Sequence, residues 1–218
     1  MRYIGVALLV CGTFGGAAAE TIGGSARQAD GDTLDIGGQK IRLLHIDAPE
    51  SDQLCNDSRG RAYLCGKEAT DQLRRLINGQ RVTCTGVEYD RYDRLLAVCH
   101  TAKVDLNGEM VRRGWAVRYD PENSDYLAEE LEAAKGGRGL WQGDFVRPKD
   151  HRAARWQSAQ QDAPDGCPIK GNISDRGRIY HTPWSRHYKR TKINTARGER
   201  WFCSEAEALQ AGWRAPLR

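Results

Sequence analysis

The 218-residue sequence predicts an α+β protein in which a five-stranded barrel carrying three helices is followed by a second, smaller unit. Three features lead to it. Residues 33–46 and 81–101 each read as two extended runs parted by a short turn, three other segments repeat apolar residues at helical spacing, and the charge changes sign along the chain. Residues 20–146 hold 17 Lys and Arg against 22 Asp and Glu, whereas residues 147–218 hold 15 against 7. An acidic front and a basic rear suit different partners, and the rear suits a polyanion.

In chain order, residues 1–19 read as an export signal: Arg2 precedes an apolar run over residues 4–14, and Ala17-Ala18-Ala19 forms a small-residue cleavage site before Glu20. That run is too short to span a bilayer stably, so no membrane insertion is expected after cleavage. Bulky Val10 before Cys11 argues against lipidation. The remaining six cysteines suit three disulfides in an exported chain. Among several formal connectivities, proximity pairs Cys55 with Cys65, Cys84 with Cys99 and Cys167 with Cys203.

Residues 33–36 and 39–46 read as strands joined by the two-residue turn Gly37-Gly38. That register sets Leu43 opposite Asp32 and leaves Asp47 four residues further along, about 13 Å away in a flat sheet. The two carboxylates meet only if the sheet curves or bulges strongly, as small closed barrels do. Residues 51–66 form a polar loop that a Cys55–Cys65 link would hold still, worth on the order of 3 kcal/mol in the chain-entropy account. Residues 67–78 form a helix with Ala69, Leu73, Leu76 and Ile77 on one face and Gly79 as its stop.

Residues 81–89 and 94–101 form a second hairpin around Arg91-Tyr92, a register that lands Cys84 opposite Cys99 and Arg94 at a strand end. Asp105 caps a helix running to Arg113; Ser124 caps another in which Leu127, Leu131 and Ala134 share a face; Gly139-Leu140-Trp141 returns the chain to the core. Two curled hairpins, a further extended segment and helices between them describe a Greek-key barrel of the oligonucleotide-binding (OB) fold over residues 20–146. Residues 147–164 read as a polar linker, and residues 165–218 as a small basic domain with Trp184, Tyr188, Trp201, Phe202 and Trp213 among its charges.

The chemistry concentrates in Asp30-Gly31-Asp32-Thr33 and in Arg42-Leu43-Leu44-His45-Ile46-Asp47-Ala48-Pro49-Glu50. Asp32, Asp47 and Glu50 offer hard oxygens of the kind that hold calcium or magnesium, and a guanidinium is a planar fork that matches a pair of phosphate oxygens. Placed within reach of one anion, they point to phosphoryl-transfer chemistry. His45 alternates with apolar neighbours and reads as a packed strand residue.

With Lys67-Glu68-Ala69, Asp90-Arg91-Tyr92-Asp93-Arg94 and Gly139-Leu140-Trp141, these motifs resemble the staphylococcal nuclease family over about residues 22–146. The resemblance implies an OB barrel with three helices that hydrolyses DNA and RNA with calcium and leaves 3′-phosphate ends. By position it implies Asp32, Asp47 and the backbone carbonyl of Ala48 as calcium ligands, Ala48 standing where relatives often carry threonine. Glu50 takes the place of the carboxylate that activates or positions water, and Arg42 and Arg94 that of the arginines gripping the scissile phosphate. Tyr92 matches a tyrosine of the nucleotide pocket, and Tyr119 a base-stacking residue, in a segment shorter than the family's.

A non-catalytic nucleic-acid-binding module of the same fold has little reason to keep Asp32, Arg42, Asp47, Glu50 and Arg94 together. The rear unit, through Tyr180-His181-Thr182-Pro183 and residues 198–208, is similar to a small domain appended to secreted bacterial nucleases of this family. It also faintly resembles a zinc module of a DNA-repair regulator, in which Cys167, His181, His187 and Cys203 would be ligands; export favours a Cys167–Cys203 disulfide instead. A secreted or periplasmic monomer acting on DNA and RNA is expected.

Overall fold

The structure, a computed structural model, describes residues 19–216; the expected export signal, up to Ala18, lies outside them. β1 (Glu20–Gln28), β2 (Thr33–Ile36) and β3 (Gln39–Leu43) are antiparallel neighbours. Gly37 and Gly38 turn the β2–β3 hairpin at φ of 62° and 94°, values that residues with a Cβ adopt at a cost. Thr33 faces Arg42 and the Leu43 N–H donates to the Asp32 carbonyl, the register anticipated from the turn.

The chain then breaks at Leu44-His45 and resumes as β4 (Ile46–Asp47). A short pair, β5 (Leu54–Asn56) and β6 (Ala62–Leu64), leads into helix α1 (Cys65–Ile77). β7 (Arg81–Tyr89) and β8 (Leu95–His100) form the second hairpin, followed by α2 (Leu106–Arg112), β9 (Val117–Arg118) and α3 (Leu127–Lys135). The sheet closes in the order β1-β2-β3-β8-β7, because β7 pairs back onto β1 and β3 runs parallel to β8. This is the five-stranded OB barrel with three helices. Leu34, Ile41, Leu43, Val82 and Leu95 fill it, with Ala69 and Leu73 of α1 and Leu106 and Met110 of α2 in the same core. Each large side chain so buried contributes about 1.5–3 kcal/mol.

Three local expectations are corrected. The second hairpin turns on three residues, Arg91-Tyr92-Asp93, with Asp93 at φ of 60° and the Asp90 N–H donating to the Arg94 carbonyl. The extra residue would displace every pair by one position, but a bulge between Gly86 and Glu88 restores the count, so Cys84 still faces Cys99. In α3 the buried face is Glu130 and Ala133, not the leucines: Leu127 and Leu131 are exposed, and Glu130 accepts from Arg118 and Arg147. Ser124 does not cap that helix; its backbone carbonyl accepts the Leu127 N–H, and Tyr126 holds the cap position in a left-handed conformation.

Residues 147–164, expected as a linker, are largely helix α4 (Pro148–Asp162), with proline in its first turn where a missing N–H costs nothing. Beyond it β10 (Ile169–Ser174), β11 (Gly177–His181) and β12 (Arg200–Phe202) make an antiparallel sheet in the order β11-β10-β12. α5 (Glu205–Gln210) follows, its first turn capped by Ser204. Ile169, Tyr180, Phe202, Ala208 and Trp213 form this unit's own core. All three anticipated disulfides are present, Cys55–Cys65, Cys84–Cys99 and Cys167–Cys203. Joined to each other, Cys167 and Cys203 are not the free thiolates that a zinc site with His181 and His187 requires.

Candidate active site

A kink brings Asp47 to Asp32. β3 stops at Leu43, His45 takes φ of 66°, and the chain re-enters as β4, pairing with β9 instead of continuing along β2. His45 is therefore a half-buried turn residue with Nε2 3.3 Å from Asp125, not a packed strand residue. Gly31 lets the preceding loop lie flat against this turn, since a Cβ there would stand 2.7 Å from that of Ala48 and 2.9 Å from that of Ala69.

Arg42 reaches both acids. Its Nη1 pairs with Asp32 Oδ1, while Nη2 donates to Asp47 Oδ1 at 3.0 Å and to the Ile46 carbonyl at 3.3 Å. Asp32 Oδ2 accepts the Ala48 N–H at 2.8 Å, and Oδ1 accepts the Thr33 hydroxyl at 3.2 Å. Asp32 is 5% exposed and Asp47 2%, so both charges are stripped of water and depend on these partners. Burial lowers the Arg42 pKa, Asp47 opposes that, and the neighbouring Arg94 and Arg152 add to it; a guanidinium stays charged throughout.

Glu50 is fixed from behind by backbone contacts. The Gln53 N–H donates to the Glu50 carbonyl at 2.7 Å, the Glu50 N–H donates to Gln53 Oε1 at 3.2 Å, and Gln53 Nε2 donates to the Val146 carbonyl at 2.8 Å. Gln53 is fully buried. The start of α1 presses on the same carbonyl: any Cβ on Gly66 would overlap it, and the Cys55–Cys65 bridge ties the intervening loop down as anticipated.

Arg94 stands one side chain away. It forks onto Asp90 through Nε at 2.8 Å and Nη2 at 2.6 Å, and Nη1 lies 3.4 Å from the Thr33 hydroxyl that donates to Asp32. Its guanidinium is 5.1 Å from the Tyr92 ring centroid. The Tyr92 hydroxyl turns toward the rear unit and donates to Glu205 Oε1 at 2.8 Å, beside Tyr180, which donates to Glu205 Oε2 at 2.9 Å. Burial and then the Glu205 charge raise both tyrosine pKa values, so both remain donors. Tyr119 lies outside the cluster with an exposed side chain, its N–H on the His45 carbonyl.

Arg152 of α4 is the cluster's unanticipated member. Its Nη1 donates to Asp47 Oδ1 at 3.0 Å and Glu50 Oε1 at 3.1 Å, and its Nη2 to Asp47 Oδ2 at 2.9 Å. One turn on, Arg155 Nη1 donates to both Asp52 carboxylate oxygens, at 2.7 and 3.0 Å. The signal for this helix lay in Pro148, a helix-start residue, followed by a run without Gly or Pro up to Ala163 and arginines spaced three apart. Gln53 left no comparable trace, being one amide in a polar loop.

The donor set fits a hard divalent cation: two buried carboxylates converge on one cationic group, and neither sulfur nor imidazole stands among them. Among the described residues no group of three His, Cys, Asp or Glu is spaced around a metal position, and guanidinium groups lie between these acids.

Residues 40–143 match the family model described as Staphylococcal nuclease homologue. A protein named micrococcal nuclease from Shigella flexneri is 32% identical over 162 residues, 66% of this chain and 85% of that protein. The chain belongs to the staphylococcal nuclease family. Other relatives are a protein named uncharacterized endonuclease from Escherichia coli, 35% identical over 130 residues (56% of this chain, 78% of that protein), and the succinoglycan biosynthesis protein ExoI of Rhizobium meliloti, 38% identical over 141 residues (63% and 72%). A second family model, described as ArfC, matches residues 149–215. In this staphylococcal nuclease family member the ArfC match takes in α4, so Arg152 comes to the barrel's acids from a different sequence module.

Proposed function

We propose that this chain is a calcium-dependent nuclease that hydrolyses phosphodiester bonds of DNA and RNA, leaves 3′-phosphate ends, and works as a secreted or periplasmic monomer. The convergence of Asp32, Arg42, Asp47 and Glu50 where β3 kinks into β4 supports this above all. Asp32, Asp47 and the Ala48 carbonyl would hold the ion, which when bound polarises a phosphoryl oxygen and offsets its charge. Glu50, held by Gln53 and Gly66, orients the attacking water and accepts its proton on a carboxylate oxygen. Arg42 and Arg94 donate to the non-bridging oxygens, where charge grows as the bond breaks, so they stabilise the transition state more than the ground state. Tyr119, exposed beside the kink, offers a ring face to a base, and Tyr92 borders the nucleotide pocket.

Export is supported by the three disulfides and by the apolar opening segment; among the described residues no helix is long and apolar enough to cross a membrane. Cleavage of plasmid and of RNA in calcium and in chelator tests the proposal. The expected result is cleavage that stops in chelator and falls at least about 100-fold in Glu50→Ser and in Arg94→Ala. Binding of nucleic acid without cleavage would instead make the chain a non-catalytic module of the same fold.

A further inference from the structure

We infer that Arg152 is a positioning residue of the active centre: its guanidinium competes with the divalent cation for Asp47 and holds Glu50 until the ion displaces it. The inference rests on the reading of Asp47 as a cation ligand given above.

Both Asp47 oxygens already accept from Arg152, and Oδ1 accepts from Arg42 as well. A divalent ion takes the same lone pairs at roughly 2.3–2.6 Å, and two cations sharing one buried carboxylate repel each other with little water between them. One of them must move. Arg42 is anchored on β3 of the barrel, paired with Asp32 and with the Ile46 carbonyl of β4. Arg152 arrives from outside on a long side chain and, among the described residues, hydrogen-bonds to Asp47 and Glu50. It is the cation that can leave.

The contact is built, not incidental. Arg152 donates two hydrogen bonds to Asp47 and one to Glu50, seating a guanidinium that stays charged at any ordinary pH. α4 is pinned beyond it by Trp156, whose ring lies 5.9 Å from that of Trp184, and by Arg155 on Asp52. The rear unit grips the barrel at a second point, where Glu205 takes the Tyr92 hydroxyl and lies 3.6 Å from Arg91. Arg152 is thereby presented to the acids at high local concentration, which any incoming ion must overcome.

Calcium titration of the full chain by calorimetry, without nucleic acid and at fixed ionic strength, compares wild type with Arg152→Gln, Arg152→Lys and Arg155→Gln. Arg152→Gln is expected to bind calcium about 5- to 50-fold tighter than wild type, Arg152→Lys by a smaller factor because an ammonium cannot fork across two acids, and Arg155→Gln by a smaller factor still, because it loosens one pin of α4 and leaves Arg152 in place. Equal or weaker binding by Arg152→Gln overturns the inference. If that variant melts out, unchanged affinity in Arg152→Lys, which keeps the charge, overturns it as well. Calcium-dependent cleavage with equal affinities sinks this inference alone, whereas no calcium binding by any of the four proteins sinks it together with the calcium reading.

Discussion

Gln53 shows how much a single buried amide can decide. It donates to the Val146 carbonyl, accepts from the Glu50 N–H, and is sealed from water, so it joins the turn that carries Glu50 to the segment entering α4. Gln53→Ala leaves the Glu50 N–H and the Val146 carbonyl without the amide that joins them. The expected cost is about 2–3 kcal/mol, read as a lower urea midpoint at unchanged slope. Cleavage should fall further than the lost folded fraction explains, because Glu50 loses the contact that fixes its backbone. Asp32, Arg42, Asp47 and Glu50 could be singled out in the sequence because charge chemistry restricts which residue can stand at each place, and the fold brings these four together at the β3–β4 kink. Gln53 was not legible: an amide satisfied by loop carbonyls repeats at no spacing and resembles any polar loop residue.

Among the elements, the register of both hairpins could be read because Gly37-Gly38 and the Cys84–Cys99 pair are each strong local constraints. The three-residue turn and the Val87 bulge could not, since two single-residue displacements cancel and leave the cysteine pairing untouched. The kink at His45 closes the gap of about 13 Å that a flat sheet would leave, and a histidine in left-handed conformation gives no warning in sequence. α4 was missed because, apart from Trp156, its contacts are charged and leave no apolar stripe to read.

In the rear sheet, His181 of β11 supplies a pH test. Its Nε2 lies 3.0 Å from Asn172 Oδ1, while its Nδ1 is buried with no partner among the described residues. Burial, with His187, Arg190 and Lys170 nearby, lowers its pKa from 6.5 to about 4. As pH falls below 6.5 the unfolded chain takes up this proton before the folded one does. The contribution is therefore complete above about 6.5 and is lost on the way down to 4, on the order of 1–2 kcal/mol. Melting temperatures at pH 7.5, 6 and 4.5 should show this decline in wild type and a shallower one in His181→Gln.

At the scale of the whole molecule, the sequence's change of charge sign separates two units that the fold then presses together. The asymmetry was legible as a count; the docking was not, because Glu205 and Tyr92 are 113 residues apart and neither is unusual alone. The rear segment meets the barrel through Arg152 on Asp47 and Glu50 and through Glu205 on Tyr92. Arg186, Lys189, Arg190 and Lys192 are exposed on one stretch of that unit, away from Arg152 in sequence. If they meet phosphates, binding releases counterions, and the plot of log affinity against log salt steepens by about 0.9 for each phosphate neutralised on duplex DNA. Alanine at all four positions, measured in chelator so that no cleavage intervenes, should flatten that slope by about 2–4 and weaken binding most at low salt. An unchanged slope would remove this stretch from substrate retention and leave Arg42, Arg94 and the tyrosines as the only contacts proposed for the nucleic acid.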